Sequence, residues 1–477
     1  MAEQNLKDKT VRGVIWSSVE RFSVQGIQFL VMLVIARILA PRDYGLIGML
    51  AIFLAVSQAL IDSGFSQALI RKQDRTESDN STVFFFNIVV SSLLYVILFL
   101  LAPWVSDFYN EPQLTLLMRV LCLVIIINSF AVVQRASLTA SINFKVQAKA
   151  SLIAAIISGG LGVYLAISGY GVWTLVCQQV LSALINVILL WWYSKWRPRL
   201  LYSWRSFREL FSFGSKILAV GLIDTIYNNM YQIVIGKVFS AASLGYYSRA
   251  QHFAEMPSSN VTGILQRVTY PVLCTMQDDD DKLRANYRKL LRVSAFVIFP
   301  MMCLLASVAH PLTCLLIGEK WDFAATLLVP LCFSLMWYPI HAINLNLLQV
   351  KGRSDLFLKV EIIKKIIIVS VLVLSIPFGV LFMCYSRIFT TVVCLAINTY
   401  YTGKLIQVGF VAQIKDLSGT LFASLLVFGI AYLIGSFFDN YITELILGVI
   451  VATLLFVGIT YIFNFKELDY LKALIKK

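Results

Sequence analysis

Ile35-Ala36-Arg37-Ile38-Leu39-Ala40-Pro41-Arg42-Asp43-Tyr44-Gly45 closes one apolar run and opens the next. Two hundred residues further on, Ile235-Gly236-Lys237-Val238-Phe239-Ser240 repeats the pattern, with Leu244-Gly245 at the place of Tyr44-Gly45 and Phe253 at that of Phe53. Each block is a long apolar segment, a basic residue near its end, a short turn with glycine, and a second segment. Parallel repeats of this kind, related by an axis along the membrane normal, are a transporter architecture. The shift sets the seventh apolar run on the first and splits the first twelve into two sets of six.

Working outward, the composition agrees. Of 477 residues 59% are hydrophobic and 14% charged, with a mean hydropathy of +0.78. A soluble domain is about 45–50% apolar and about 25% charged, so both a water-surrounded globule and a disordered chain are excluded. At about 20 residues per membrane helix, the apolar runs predict an all-α polytopic protein of about fourteen spans. They lie near 13–38, 45–70, 81–102, 114–134, 148–168, 170–193, 210–238, 243–274, 290–314, 324–348, 357–377, 379–402, 417–436 and 442–464. The expected organisation is an N-lobe over 1–194, a cytoplasmic linker over 195–209, a C-lobe over 210–402, and two further spans with a basic tail over 403–477. Trp196, Leu200, Leu201, Trp204 and Phe207 in the linker suggest an amphipathic helix lying on the membrane surface. The first ten residues and the long run behind them predict no removable signal peptide.

The net charge of +14 sorts by loop. Of the 40 Lys and Arg, 28 fall in alternate segments: 7–12, 71–75, 135–149, 195–208, 282–292, 351–359, 404–415 and 466–477. The intervening loops hold mainly acids, among them Asp107, Glu111, Glu319, Asp322, Asp439 and Glu444. By the positive-inside rule both termini are cytoplasmic and the span number is even. Cations scattered over eight loops make no nucleic-acid patch.

Several chemistries lack their motif. There is no GxxxxGK[ST] to cradle ATP phosphates. His252, His310 and His341 stand apart, so no metal site is expected. The eight cysteines lie in or beside apolar runs without CxxC spacing and read as buried thiols. Gly64-Phe65-Ser66-Gln67-Ala68 lacks the final glycine of a nucleophile elbow. Asp278 to Asp281 reads as an acidic cap on the helix that follows.

Charges inside spans cost about 2.5–3.5 kcal/mol on insertion scales, so they mark function or pairing. Ser17, Arg21, Gln25 and Gln28 form one stripe on the first span, and Asp224, Asn228 and Gln232 another on the seventh with Lys216 before it. Arg249, His252, Glu255 and Ser259 line the eighth, Asp62 sits in the second, and Arg387, Thr391, Cys394 and Asn398 run along the twelfth. Stripes on the equivalent spans 1, 2, 7 and 8 point to a hydrophilic chamber. Buried ion pairs that merely hold helices together are the competing explanation, and Arg37, Lys237 and Arg119 read as snorkelling at interfaces. Spans 13 and 14 are nearly free of polar groups and suit lipid.

The opening stretch, followed by Asp62-Ser63-Gly64-Phe65-Ser66-Gln67-Ala68-Leu69-Ile70-Arg71-Lys72, resembles the first two spans of Wzx-type polysaccharide (O-antigen or exopolysaccharide) flippases. Tyr270-Pro271-Val272-Leu273, Gln277-Asp278-Asp279 and Lys282-Leu283 are similar to the segment before their ninth span. Gly318-Glu319-Lys320-Trp321 and Gln349-Val350-Lys351-Gly352-Arg353 fit their later loops. These flippases form the polysaccharide transporter family of the multidrug, oligosaccharidyl-lipid and polysaccharide exporters. The resemblance implies an inner-membrane translocator that carries an undecaprenyl-diphosphate-linked glycan for lipopolysaccharide or similar polymers, alongside polysaccharide polymerase and glycosyltransferases. Arginines of the first span serve the cavity in related lipid II flippases; Arg21 does not align with them and rests on its stripe.

The expected mechanism is alternating access. Arg21, Lys216, Arg249 and Arg387 would hold the diphosphate. Gln25, Gln28, Asn228, Asn229 and Gln232 would contact the sugar, with Tyr227 or Tyr231 stacking on it. Asp62, Asp224 and Glu255 are candidates for H+ or Na+ coupling, with no other cofactor. The alternatives are a cation-coupled multidrug exporter, which should have an acidic chamber, and a membrane-embedded polymerase or glycosyltransferase, which needs a larger outer loop.

Overall fold

A computed structural model describes residues 16, 22–62, 65–72, 74–141, 143–194, 196–465 and 467–468. Among them the regular structure is helical throughout, without a strand. The chain forms two compact units, Met1–Gly245 and Tyr246–Lys477.

In the first unit the helices are α1 (Phe22–Ile38), α2 (Pro41–Asp62), α3 (Phe65–Arg71), α4 (Glu77–Tyr109), α5 (Gln113–Leu121), α6 (Leu123–Ser129) and α7 (Val132–Ala140). Then come α8 (Phe144–Ile167), α9 (Trp173–Tyr193), α10 (Trp204–Asn228), α11 (Met230–Val238) and the first turn of α12 (Ala241–Cys274). The predicted fourth and seventh spans are therefore broken helices; α5–α6 and α7 bend by 44°. α8 and α9 pack along each other, and α10 lies on α2, α3 and α4. Thr76 starts α4 with a capping box: its hydroxyl accepts from Asp79 N–H at 3.2 Å, and Asp79 Oδ2 accepts from Thr76 N–H at 2.9 Å. Lys72 closes on the buried Asp79 at 3.1 Å.

The linker differs from expectation. Residues 196–203 are not helical. Pro198 lacks an N–H and disfavours the helical conformation before it. Hydroxyls on α4 take up the freed backbone: Arg199 N–H donates to Ser81 at 3.2 Å and Ser203 N–H to Thr82 at 3.0 Å. Trp196 turns inward, donating from Nε1 to Glu77 at 3.0 Å and packing on the cluster of Phe65, Leu69, Val83 and Phe84. Trp204 and Phe207 belong to the first turn of α10, whose N-cap is Ser203.

The start of α2 crosses the start of α12 at the repeat itself. A methyl group on Gly45 would sit 1.6 Å from the Ala241 carbonyl oxygen, and one on Gly245 would sit 1.9 Å from that of Pro41. Pro41 and Ala241, like Gly45 and Gly245, are 200 residues apart, so the contact is reciprocal. Two of the cations read as snorkelling have contacts in this unit. Lys237 reaches the Phe108 carbonyl at 2.5 Å, and Arg119 lies 4.2 Å over the Phe99 ring.

The second unit continues α12 and adds α13 (Asp280–Ser307), α14 (Ala309–Ile317), a 3-10 turn (Glu319–Trp321), α15 (Asp322–Leu335) and α16 (Tyr338–Val350). α17 (Ser354–Ser375), α18 (Gly379–Ile406), α19 (Phe410–Gly435) and α20 (Tyr441–Ile462) complete it. Asp279 caps α13, and the backbone N–H of Lys282 holds its carboxyl below the usual carboxylate range, as the acidic-cap reading requires. A fully buried polar knot joins four helices. Tyr287 donates to Asn344 at 2.8 Å, and Gln413 Nε2 faces Tyr287 at 2.9 Å, Asn344 at 3.0 Å and Thr402 at 3.1 Å. Beside it Arg288 clasps Asp416 through two bonds of 2.6 Å.

Nine helical stretches among the described residues are long and apolar enough to cross a membrane, ten with the bent pair counted once. One of them, Ser354–Ile406, contains both α17 and α18. At 1.5 Å per residue its 53 residues measure about 80 Å, more than one crossing requires. α12 falls short because its polar residues, among them Arg249, His252, Glu255 and Asn260, lower its hydropathy.

Candidate functional site

A cavity of about 490 Å³ opens in the first unit, within the usual size range of ligand sites. Five helices supply its wall. Gln28 comes from α1, Asn128 from α6 and Arg135 from α7; Gln147 and Ser151 come from α8, and Gln179, Ser182 and Asn186 from α9. The bend between α6 and α7 sets Asn128 and Arg135 against the same space. Arg135 donates to the side-chain oxygens of Asn186 at 3.1 Å and Asn128 at 3.4 Å. Asn186 in turn donates to Ser151 at 3.4 Å, and Gln147 donates to Thr139 at 3.0 Å and to the Arg135 carbonyl at 3.3 Å. Each amide that accepts from the guanidinium keeps its own N–H groups as donors. Among the described residues the lining carries one cation and no carboxylate.

Such a wall suits a polyhydroxylated ligand bearing a negative group. Amides and hydroxyls donate to and accept from sugar hydroxyls, and a guanidinium binds an anionic oxygen by charge-assisted hydrogen bonds. An organic cation would find no counter-charge.

The sequence-predicted residues divide. Gln28 lines the cavity. Gln25 lies half-buried on the same helix. Arg21 lies outside the described residues, as do the side chains of Asp62 and Lys216. At the break between α10 and α11, Asn229 bonds back to the Thr225 carbonyl at 2.8 Å, while Asp224 and Asn228 are exposed and Tyr227 and Gln232 are half-buried. In the second unit Arg387 donates to the Tyr247 hydroxyl at 2.7 Å. Arg249 is half-buried on α12, where Glu255 accepts from Gln251. Further along the twelfth-span stripe, polar groups serve packing: Thr391 meets Ser334 at 3.2 Å and Asn398 meets His341 at 3.0 Å.

Arg135 was assigned to a basic loop by the topology count, and the amides around it lay in three different spans with no shared period. The signal available was Gln179, Ser182 and Asn186, spaced three and four apart on one helix face. A second charge pair also went unread: Lys364, buried within α17, pairs with Glu361 one turn before it.

The chain matches the profile of the family described as polysaccharide biosynthesis protein over residues 34–326. The lipopolysaccharide biosynthesis protein WzxC of Escherichia coli (strain K12) is 26% identical over 379 residues, 78% of this chain and 76% of the relative. The teichuronic acid biosynthesis protein TuaB of Bacillus subtilis (strain 168) is 26% identical over 357 residues, 74% of this chain and 73% of the relative. Among solved structures, the lipid II flippase MurJ in an inward closed conformation superposes with a TM-score of 0.76 at 13% identity, covering 94% of this chain and 98% of that one.

Proposed function

Because the chain belongs to the polysaccharide biosynthesis protein family, we propose that it is a flippase that carries lipid-linked oligosaccharide units across the membrane for surface polysaccharide synthesis. It is a multi-pass membrane transporter and not an enzyme. The observation that carries the reading is the wall described above: amides and hydroxyls from four helices surround one guanidinium from a fifth, and among the described residues the lining has no carboxylate.

The carrier is undecaprenyl diphosphate, and the membrane is the bacterial inner membrane with both termini cytoplasmic. Fourteen spans form two lobes of six plus a final pair. Arg135 offers positive charge to the diphosphate, while Gln28, Asn128 and Asn186 contact the sugar; Arg21, Lys216, Arg249 and Arg387 are the further cationic candidates read from the sequence. Polar side chains strip water from the headgroup and return its hydrogen bonds, while the polyprenyl tail stays in lipid against α19 and α20. Alternating access exposes the chamber to each face in turn, coupled to H+ or Na+ through Asp62, Asp224 or Glu255. Polymerase and glycosyltransferases supply and consume the load.

The test is flipping of a short-chain polyprenyl-diphosphate sugar in proteoliposomes. Arg135→Gln should slow transport about tenfold or more, the worth of one charge-assisted hydrogen bond, with the thermal unfolding midpoint retained. Arg21→Gln with Arg249→Gln should abolish it. Wild-type transport rates in both variants would overturn the assignment.

A further inference from the structure

Far along the chain from the cavity residues, the second unit gathers three side chains of metal-binding type. His310 and Cys314 stand four residues apart on α14 and so share a face. α14 ends at Ile317, and Gly318 takes φ +97°, a left-handed conformation that favours glycine. Trp321, fully buried, anchors the 3-10 turn that follows. Together they return the chain so that Asp322, the first residue of α15, lies over that face. His310 Nε2 is 3.0 Å from Asp322 Oδ1. The imidazole nitrogen, the thiol sulfur and the carboxylate oxygen all lie within 4.8 Å of one another.

A tetrahedral zinc ion, with N and O ligands near 2.0–2.1 Å and S near 2.3 Å, sets its donors about 3.3–3.6 Å apart. The His310–Asp322 pair at 3.0 Å therefore needs to open by about 0.3 Å, and the separations from the sulfur need to close by about 1.2 Å at most. Cys314 forms the floor, buried and not in a disulfide, while His310 and Asp322 are exposed at the rim. The surroundings are negative. Glu319 and Glu444 both act electrostatically on Cys314, and Glu444 on His310 as well. Tyr441 donates to Glu319 at 3.2 Å and sets its ring 5.5 Å from that of His310.

We propose that His310, Cys314 and Asp322 bind one divalent transition-type cation such as Zn2+, with water, Glu319 or Glu444 completing the shell. A thiolate and an imidazole select a borderline-soft ion over Mg2+ or Ca2+, which prefer all-oxygen shells. The thiol proton is lost to solvent as the ion binds. Bound metal ties the end of α14 to the start of α15 across the Gly318 turn. The site is independent of the transported substrate.

The experiment is a Co2+ titration of the purified full-length protein in detergent after treatment with a chelator. The expected result is one ion per chain, with a thiolate-to-cobalt charge-transfer band and tetrahedral d–d bands that Zn2+ removes and Mg2+ does not. Cys314→Ser should abolish the charge-transfer band. His310→Ala, at an exposed side chain and with an unfolding midpoint matching the wild type, should weaken binding at least tenfold. A titration without saturation, a charge-transfer band that survives Cys314→Ser, or unchanged affinity in His310→Ala overturns the site.

Discussion

Gln413 is fully buried and holds four polar groups together. Its amide nitrogen faces Tyr287, Asn344 and Thr402 oxygens, and its own oxygen accepts from Asn344 Nδ2 at 3.1 Å. Replacing it with leucine keeps the volume but removes these bonds where no water replaces them, at about 0.5–1.5 kcal/mol for each, while Tyr287 and Asn344 keep the bond between them. Gln413→Leu should therefore lower the unfolding midpoint in detergent by several degrees. An unchanged midpoint would mean that the knot relaxes around the loss. Arg135 is the contrasting residue. Its partners are amide oxygens at the rim of a cavity, and a ligand anion can compete for the same guanidinium. Substitution there should alter transport more than stability.

At the scale of elements, the crossing of α2 and α12 makes the clearest demand on sequence. The methyl of Gly45→Ala would lie 1.6 Å from a carbonyl oxygen, backbone against backbone, where no rotamer change gives relief. The two helices must separate or the variant loses stability. Gly26 on α1 has nothing within 4 Å of the same position. Gly26→Ala should therefore be neutral or stabilising by up to about 1 kcal/mol, the difference in helix propensity. Parallel thermal unfolding of the two variants checks the contrast, and equal behaviour would show that the crossing is not a tight contact in the membrane. The position of this contact was legible beforehand, since the repeat aligns Gly45 with Gly245. The contact itself was not, because a period in sequence says which residues are equivalent and not that they meet. The linker was misread for a related reason: aromatic spacing suggested a surface helix, and neither the hydroxyls of Ser81 and Thr82 nor the constraint of Pro198 enters an amphipathic pattern. The approach of His310, Cys314 and Asp322 to within 4.8 Å of one another was not legible either, because it depends on the turn at Gly318 bringing Asp322 back over α14.

For the whole molecule, hydropathy and charge alternation located nearly every helix, since long apolar runs and basic loops are properties of contiguous sequence. They located the cavity poorly, since Gln28, Asn128, Arg135 and Asn186 converge from four helices and Arg135 had been spent on topology. If the 28 loop cations orient the chain, reporters fused after residues 145, 352 and 477 should report cytoplasmic exposure, and reporters after 110, 319 and 440 the opposite side. Replacing Arg135 with glutamine removes one of the three basic residues at 135, 145 and 149. Two remain, so every reporter should keep its side while transport falls. A reporter pattern that inverts in Arg135→Gln would move this residue back from ligand binding to topology. A C-terminal reporter facing outward in the wild type would overturn the orientation, and with it the face from which the cavity loads.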